Sequence, residues 1–462
     1  MKSVHERLAV LGTAVPKTLL PRQDADLSRW AVIACDQFTQ DRGYWERAAA
    51  AAGDSPSALH CIFPEAFLEM PGRKERIETV HKTMKRYLEK NIFRSSRGCV
   101  YVERDTPYRT GRRGLLVCLD LEQYDWSPAG AALVRPTEGT VPERLPARMD
   151  IRRGAALELP HILVLVDDEK DELLSTLGNR AKAGTKLYDT PLMLDSGRVQ
   201  GWLLDKEADW ECLASGLEKL AAESVSRYAL PAKPGVEAPV SEPFLYAVGD
   251  GNHSLAAAKG IWEECKKAGG GSEPDNLADG PRWVMVEIEN LYDPALVFEP
   301  IHRFVYGAGA EETKKLFSAL PGFSVKALGG AEERARLVSL VNEKVPYTRF
   351  GIIAGKGSGN QGRAALFLAQ TDPVPLAVDR IQPLLDVFVR DNPALFVDYI
   401  HGEDELFRLA AQSAGSGILL PPFYKQGLFR TVAERGPLSR KSFSMGEASE
   451  KRFYLECRRL FG

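Results

Sequence analysis

Two periodicities share this chain. Short, almost unbroken apolar runs at 30–35, 99–103, 114–119, 162–166, 244–248 and 282–289 predict buried strands. Other stretches place apolar residues three and four apart and predict helices. Residues 43–52 form one. Residues 74–90 form another, with Ile77, Val80, Met84 and Leu88 on one side. A third begins after Val248, where Leu255, Ala258, Trp262 and Cys265 share a face and Gly269-Gly270 ends the pattern. The middle of the chain therefore reads as strand, helix, strand, and a parallel right-handed unit is the expectation.

Past residue 307 the texture changes. Helical patterns at 311–320 and 332–343 alternate with strand patterns at 323–327, 350–354, 364–369, 397–401 and 417–420. A closing helix is expected at 447–460. The fold class that follows is α+β, a mixed α/β chain. At 462 residues it is too long for one ordinary core. Two domains are expected, 1–306 and a smaller α+β domain at 307–462.

The most informative stretch is Val248-Gly249-Asp250-Gly251-Asn252-His253-Ser254. A strand that runs through a tight Gly-rich turn into a helix leaves backbone N–H groups without intrahelical partners. These groups and the helix dipole favour an anion. Gly251, Asn252 and Ser254 are thus phosphate-binding candidates. Asp250 and His253 stand at the mouth as catalytic candidates. A carboxylate beside an anion site makes sense if it carries a metal or accepts a hydroxyl proton. His253, near the positive end of the dipole, is expected to be neutral, as a base or hydrogen-bond donor.

Other residues divide between chemistry and ordinary structure. Asp36, Asp120 and Asp167 also follow apolar runs, and carboxylates converging there could hold magnesium. Aspartate is equally a common turn residue, and that reading is preferred for these three. His302 and Arg303 either reach a phosphate or cap a strand. His401, Lys441 and Ser442 are weaker candidates, and Arg152-Arg153 read as solvated. The glycine-rich 355–362 lacks the Gly-Lys-Ser/Thr ending of a phosphate loop and reads as a hairpin loop.

Composition removes several classes. The net charge of -3 provides no global attraction to nucleic acid or acidic membranes. The seven cysteines are scattered, with no Cys-x-x-Cys pair, which argues against a disulfide framework or zinc knuckle and for a reducing compartment. Residues 2–15 only faintly imitate a signal peptide, and no run reaches membrane-spanning length. The expected location is the cytoplasm.

The motifs resemble, nearly end to end, the bacterial DUF1015 family. The resemblance is carried by Cys35-Asp36-Gln37-Phe38, Gly53-Asp54-Ser55-Pro56-Ser57, 157–168, 248–259, 293–303, 397–401 and 441–456. The family's Asp-Gly-His-His-Arg signature is in turn similar to the phosphate motif of the ParB/sulfiredoxin-like superfamily, which includes an ADP-dependent free-serine kinase. Here Asp250, Gly251 and His253 match, whereas Asn252 and Ser254 replace the first histidine and the arginine. The lost arginine removes a phosphate clamp, for which Arg303, Arg135 or backbone amides would have to compensate. The family's Arg-Pro-His-Glu segment appears as Arg135-Pro136-Thr137-Glu138. By that resemblance Glu138 is the base that takes a hydroxyl proton.

What the resemblance implies is a ParB/sulfiredoxin-like N-terminal domain with large insertions. It also implies a phosphotransferase or phosphohydrolase acting on a small metabolite, with ADP or ATP and magnesium. Glu138 or Asp250 would deprotonate the acceptor and His253 would steady the transferring charge. The rivals are a nucleotide-binding switch or DNA-associated module and a small-molecule-binding protein without chemistry. The acidic balance and the lack of a helix-turn-helix signal argue against DNA. Metal and oligomeric state are left open.

Overall fold

The buried run expected before the glycine turn is present: Phe244 to Val248 are all at most 2% exposed. In the computed structural model, which describes residues 2–127, 132–229, 242–269, 278–356 and 365–461, it forms the strand Tyr246–Asp250. The chain divides into two compact units. One holds residues 1–296, 426–437 and 448–462, the other 297–425 and 438–447. The division falls at 296/297 and not after 306, and two later segments belong with the first unit instead of with 307–462.

The first unit is built on a nine-stranded sheet. Across it run Thr185–Pro191, Arg198–Leu204, Cys99–Asp105, Arg112–Asp120, Trp283–Asn290, Leu163–Val166, Tyr246–Asp250 and Val134–Pro136, with Thr13–Ala14 paired to Arg112–Asp120. The central strands are apolar on both faces, because each face is covered. On one side Leu115, Val117, Val164, Val248 and Val286 meet Leu174, Leu213, Leu255 and Trp262 from helices. On the other Leu116, Cys118 and Met285 meet Trp30, Val32, Tyr454 and Leu455.

The expected parallel strand–helix–strand unit is not formed. Leu163–Val166 lies between the two strands, antiparallel to Tyr246–Asp250 and parallel to Trp283–Asn290. Tyr246–Asp250 pairs in parallel with Val134–Pro136 on its other side.

The closing helix expected at 447–460 is also absent. Phe453–Tyr454 pairs with Val32–Ile33, and Arg458–Arg459 pairs with Leu157–Glu158. Helix propensity loses here to buried partners. Arg452 is bound by Glu287 and Glu456, Arg458 by Glu158, and Trp30 donates its indole N–H to the Leu455 carbonyl at 2.9 Å. Arg152, read from sequence as solvated, pairs with the same Glu158.

The second unit is a seven-stranded sheet with antiparallel pairing throughout. Its order is Ser324–Gly329, Leu366–Thr371, Thr348–Ala354, Gly415–Leu419, Phe298–Tyr306 and Phe396–His401, with Phe443–Met445 on the start of Phe298–Tyr306. Leu337 and Leu406, from two helices, pack on Phe304, Ile353 and Leu419. The helices Ala377–Asp391 and Glu403–Gln412 of this unit, and Leu428–Arg435 of the first, were not expected. Most of the glycine-rich 355–362 and parts of the expected loops at 231–243 and 269–280 lie outside the described residues.

Candidate functional site

Gly251 makes the turn possible. Its φ of 82° is left-handed, and a Cβ there would stand 3.0 Å from Ile162 Cγ1 and 3.3 Å from Ile162 Cα. Only glycine meets both constraints at low cost. The helix Asn252–Lys267 starts immediately, with Gly251 as its cap and no side chain closing its first turn. Leu255, Ala256, Ala258, Ile261 and Trp262 bury its inner face. The Gly251 N–H, expected to cradle a ligand, is instead taken by Asp250 Oδ1 at 3.0 Å. Gly251 thus contributes its backbone shape and its missing side chain, while the amides that geometry aims outward begin at residue 252.

Residues 137–141 clasp this helix start at two points. The Thr137 N–H donates to Asn252 Oδ1 at 3.2 Å, and the Val141 N–H donates to His253 Nε2 at 3.2 Å. Thr137 Oγ1 and Asn252 Nδ2 both donate to the Val248 carbonyl, at 2.6 and 3.3 Å. The Asn252 side chain is therefore spent on the scaffold and does not serve as a phosphate ligand. His253 accepts at Nε2, which places the proton of a neutral ring on Nδ1. The half-buried Glu138 lies in the short span between the pins.

Two further contacts close the mouth. Ser254 Oγ lies 2.9 Å from His161 Nε2. The His161 ring packs edge-on to Tyr454, whose hydroxyl accepts from the Cys35 N–H at 3.2 Å. Asp250 Oδ2 faces Lys451 Nζ at 3.4 Å. Asp250, Glu138, His253, Ser254, His161 and Lys451 thus all belong to one end of the first unit's sheet, around the first turn of one helix.

The remaining candidates fall elsewhere. Arg135 donates to the carbonyls of Ala132 and Glu242 and lies 4.5 Å over the Phe244 ring, at the opposite end of its neighbouring strand from Asp250. His302 and Arg303 belong to the second unit and are buried. His302 Nδ1 accepts from the Leu420 N–H at 3.1 Å, and burial, with Arg303 and His401 nearby, pushes its pKa down to about 3. Arg303 binds Gln382 and the carbonyls of Ile301, Lys441 and Arg440. Both are scaffold residues, closed to a phosphate by their own partners.

Asp120 pairs with Arg282 and Asp167 with Arg227, as turn aspartates do. Asp36 differs. It lies against Glu65, whose carboxyl is raised by burial and by Asp36 and which pairs with Arg148 at 2.5 Å. Among the described residues no three His, Cys, Asp or Glu side chains come together as a metal cluster. The four strand-end aspartates therefore build no magnesium site by themselves.

His161 and Lys451 were missed in the sequence. The sequence carried no signal for His161: only the antiparallel pairing, which sets Asp250 opposite Leu163, brings His161, two residues earlier, beside the helix start. For Lys451 there was none either, since its segment read as helix. A cavity of ≈ 950 Å³ lies elsewhere in the first unit, between the helix Arg73–Glu89 and residues 45–67. It includes none of the residues at the helix mouth, and its cations (Arg76, Arg86, Lys90) are matched by Glu46, Asp54 and Glu75.

The profile of a family described as "Protein of unknown function (DUF1015)" matches residues 17–386. No curated protein matches the chain. Among solved structures, a conserved hypothetical protein from Pyrococcus furiosus is 11% identical over 74% of this chain and 90% of its own, with a TM-score of 0.34. A free serine kinase in complex with AMP is 11% identical over 75% and 91%, with a TM-score of 0.35. SbnI with C-terminal truncation, from Staphylococcus aureus, is 10% identical over 73% and 85%, with a TM-score of 0.33.

Proposed function

The chain belongs to the DUF1015 family, and we propose that the mouth of its Asn252–Lys267 helix binds phosphate groups, of a nucleotide such as ADP or ATP or of a phosphorylated metabolite, and that the protein transfers or hydrolyses a phosphoryl group there. The observation that supports this reading best is the double clasp. Thr137 bonded to Asn252 and Val141 bonded to His253 hold the Glu138 span against a helix start whose amides favour an anion. An acid and an imidazole are thereby held beside the place where negative charge is stabilised.

Each side chain at the mouth has its own part in this reading. Asp250 has one oxygen on the Gly251 N–H and the other facing Lys451, so it steadies the turn and the lysine. Glu138 takes the proton of the acceptor hydroxyl or water. His253, neutral with its proton on Nδ1, donates to a phosphoryl oxygen. Ser254, against His161, orients the ligand's outer oxygens. A bound nucleotide would supply the phosphoryl group. Positioning and charge stabilisation are the protein's share of such a reaction.

Thermal-shift measurements with ADP, ATP, inorganic phosphate and pyrophosphate, each with and without magnesium, test the reading, since a ligand bound to the native state raises its apparent stability. At least one shift is expected, and none with any of them would overturn the proposal. With a binding nucleotide in hand, Glu138→Gln should keep affinity and lose phosphate transfer or release by roughly 10²–10⁴-fold, the range for a general base. Binding by the wild type without turnover would identify instead a non-catalytic nucleotide- or phosphate-binding module.

A further inference from the structure

The chain carries serine at position 254, beyond His253, and so has no arginine in the helix's first turn to neutralise an anion. A cation is nonetheless present, delivered by a distant part of the sequence. The Lys451 side chain is 7% exposed. Three arginines anchor the segment around it. Its carbonyl accepts from Arg104 at 3.0 Å, and the Glu450 carbonyl before it accepts from Arg112 at 3.1 Å. Arg452 after it donates to the Pro160 carbonyl at 2.9 Å.

The ammonium itself is poorly satisfied by comparison. It has three donors and no acceptor. Among the described residues its one ion pair is with Asp250 Oδ2, at 3.4 Å. Charge-assisted N–H···O bonds ordinarily close to about 2.7–2.9 Å. A nearly buried charge with one long contact is costly unless something else completes its shell. What the helix mouth would bring there, on the reading proposed above, is an oxyanion.

We infer that Lys451 is the phosphate-binding cation of this site, shared between Asp250 and the ligand. Without ligand, Asp250 neutralises it. With a phosphate or pyrophosphate group at the helix mouth, the ammonium donates to the ligand's oxygens and its hold on Asp250 loosens. The ligand class is a compound with at least one dianionic phosphate or a diphosphate, because a single carboxylate would offer no more than Asp250 already does. The C-terminal segment 448–461 is then part of the binding site as well as of the core.

The inference rests on the phosphate-binding reading, and the experiment separates the two. Pyrophosphate and ADP, without metal, are titrated calorimetrically into wild type, Lys451→Met and Lys451→Arg, with urea unfolding of each as a check on folding. Lys451→Met is expected to weaken binding at least tenfold, and Lys451→Arg to weaken it less, since it keeps the charge in a bulkier group. Wild-type affinity in a folded Lys451→Met protein overturns the role of Lys451 and leaves the phosphate site standing. Failure of the wild type to bind either probe overturns the inference about Lys451, and the phosphate-binding reading falls with it when the thermal-shift panel is silent as well. Should Lys451→Met fail to fold, Asp250→Asn decides: releasing Lys451 from its carboxylate should tighten pyrophosphate binding at least threefold, and unchanged or weaker binding refutes the sharing.

Discussion

Thr137 and Asn252, 115 residues apart in sequence, are joined by a backbone-to-amide hydrogen bond of 3.2 Å, and both side chains donate to the same carbonyl, that of Val248. This three-way junction fixes the end of one strand, the start of a helix and the loop that carries Glu138. Its members are buried, so a missing partner is not replaced by water.

Asn252→Ala removes two of the three bonds and leaves the Thr137 N–H without its acceptor. The expected destabilisation is about 1–3 kcal/mol, the cost of an unsatisfied buried group, read from urea denaturation. Ligand binding should fall with it, because the Glu138 span is no longer pinned. A fully stable variant would show that the junction is not needed.

Gly251→Ala tests the turn. The left-handed conformation costs an alanine about 1–2 kcal/mol, and the added Cβ meets Ile162 at 3.0 Å. Reduced stability together with loss of phosphate binding is expected. Loss of stability alone would separate the turn's structural role from the site.

Arg452→Met tests the buried charges under the site. Arg452 is 3% exposed and paired with Glu287 and Glu456, themselves almost inaccessible. Removing one partner of such a group costs about 3–5 kcal/mol, because the remaining carboxylates stay buried. Guanidinium unfolding of wild type and variant gives the difference. A loss below 1 kcal/mol, roughly the worth of an exposed pair, would mean that the segment is not held as described.

His302 makes the second unit sensitive to acid. Its pKa lies at about 3, below the ordinary 6.5, mainly through burial. The stability that its neutral form supports is fully present above pH 6.5. It is lost as pH falls from there toward 3, at up to about 1.4 kcal/mol per pH unit. His302→Asn, which keeps an acceptor for the Leu420 N–H, should flatten the decline between about pH 6.5 and 4 in urea titrations. An unchanged slope would assign it to other groups.

The elements that could be read from the sequence were those whose own residues carry the pattern. The strand before Asp250 is a solid apolar run, the helix after it repeats at three and four, and Gly251 marks the bend. Pairing was harder to read. Nothing in the 162–166 run says that it slips between 246–250 and 283–290, and the choice of an antiparallel neighbour is what brings His161 to Ser254. The end of the chain was misread because Arg452, Glu456 and Arg458 look like the exposed face of a helix. The two arginines are compensated by Glu287 and Glu158, residues a single-segment reading never brings beside them. His302 and Arg303 misled in the opposite way, since a His-Arg pair that suits a phosphate suits a buried strand equally well.

The strands Phe453–Tyr454 and Arg458–Arg459 complete sheets whose other members lie near the start and middle of the chain. During synthesis the first unit must wait, with Val32–Ile33 and Leu157–Glu158 unpaired, until the whole of the second has left the ribosome. The second unit has no such debt: apart from its strand Phe443–Met445 it can close as its residues emerge. Completion of the helix mouth therefore waits on the synthesis of residues 448–461, and a chain stopped just after residue 447 would contain all of the second unit's residues and a first unit lacking Lys451.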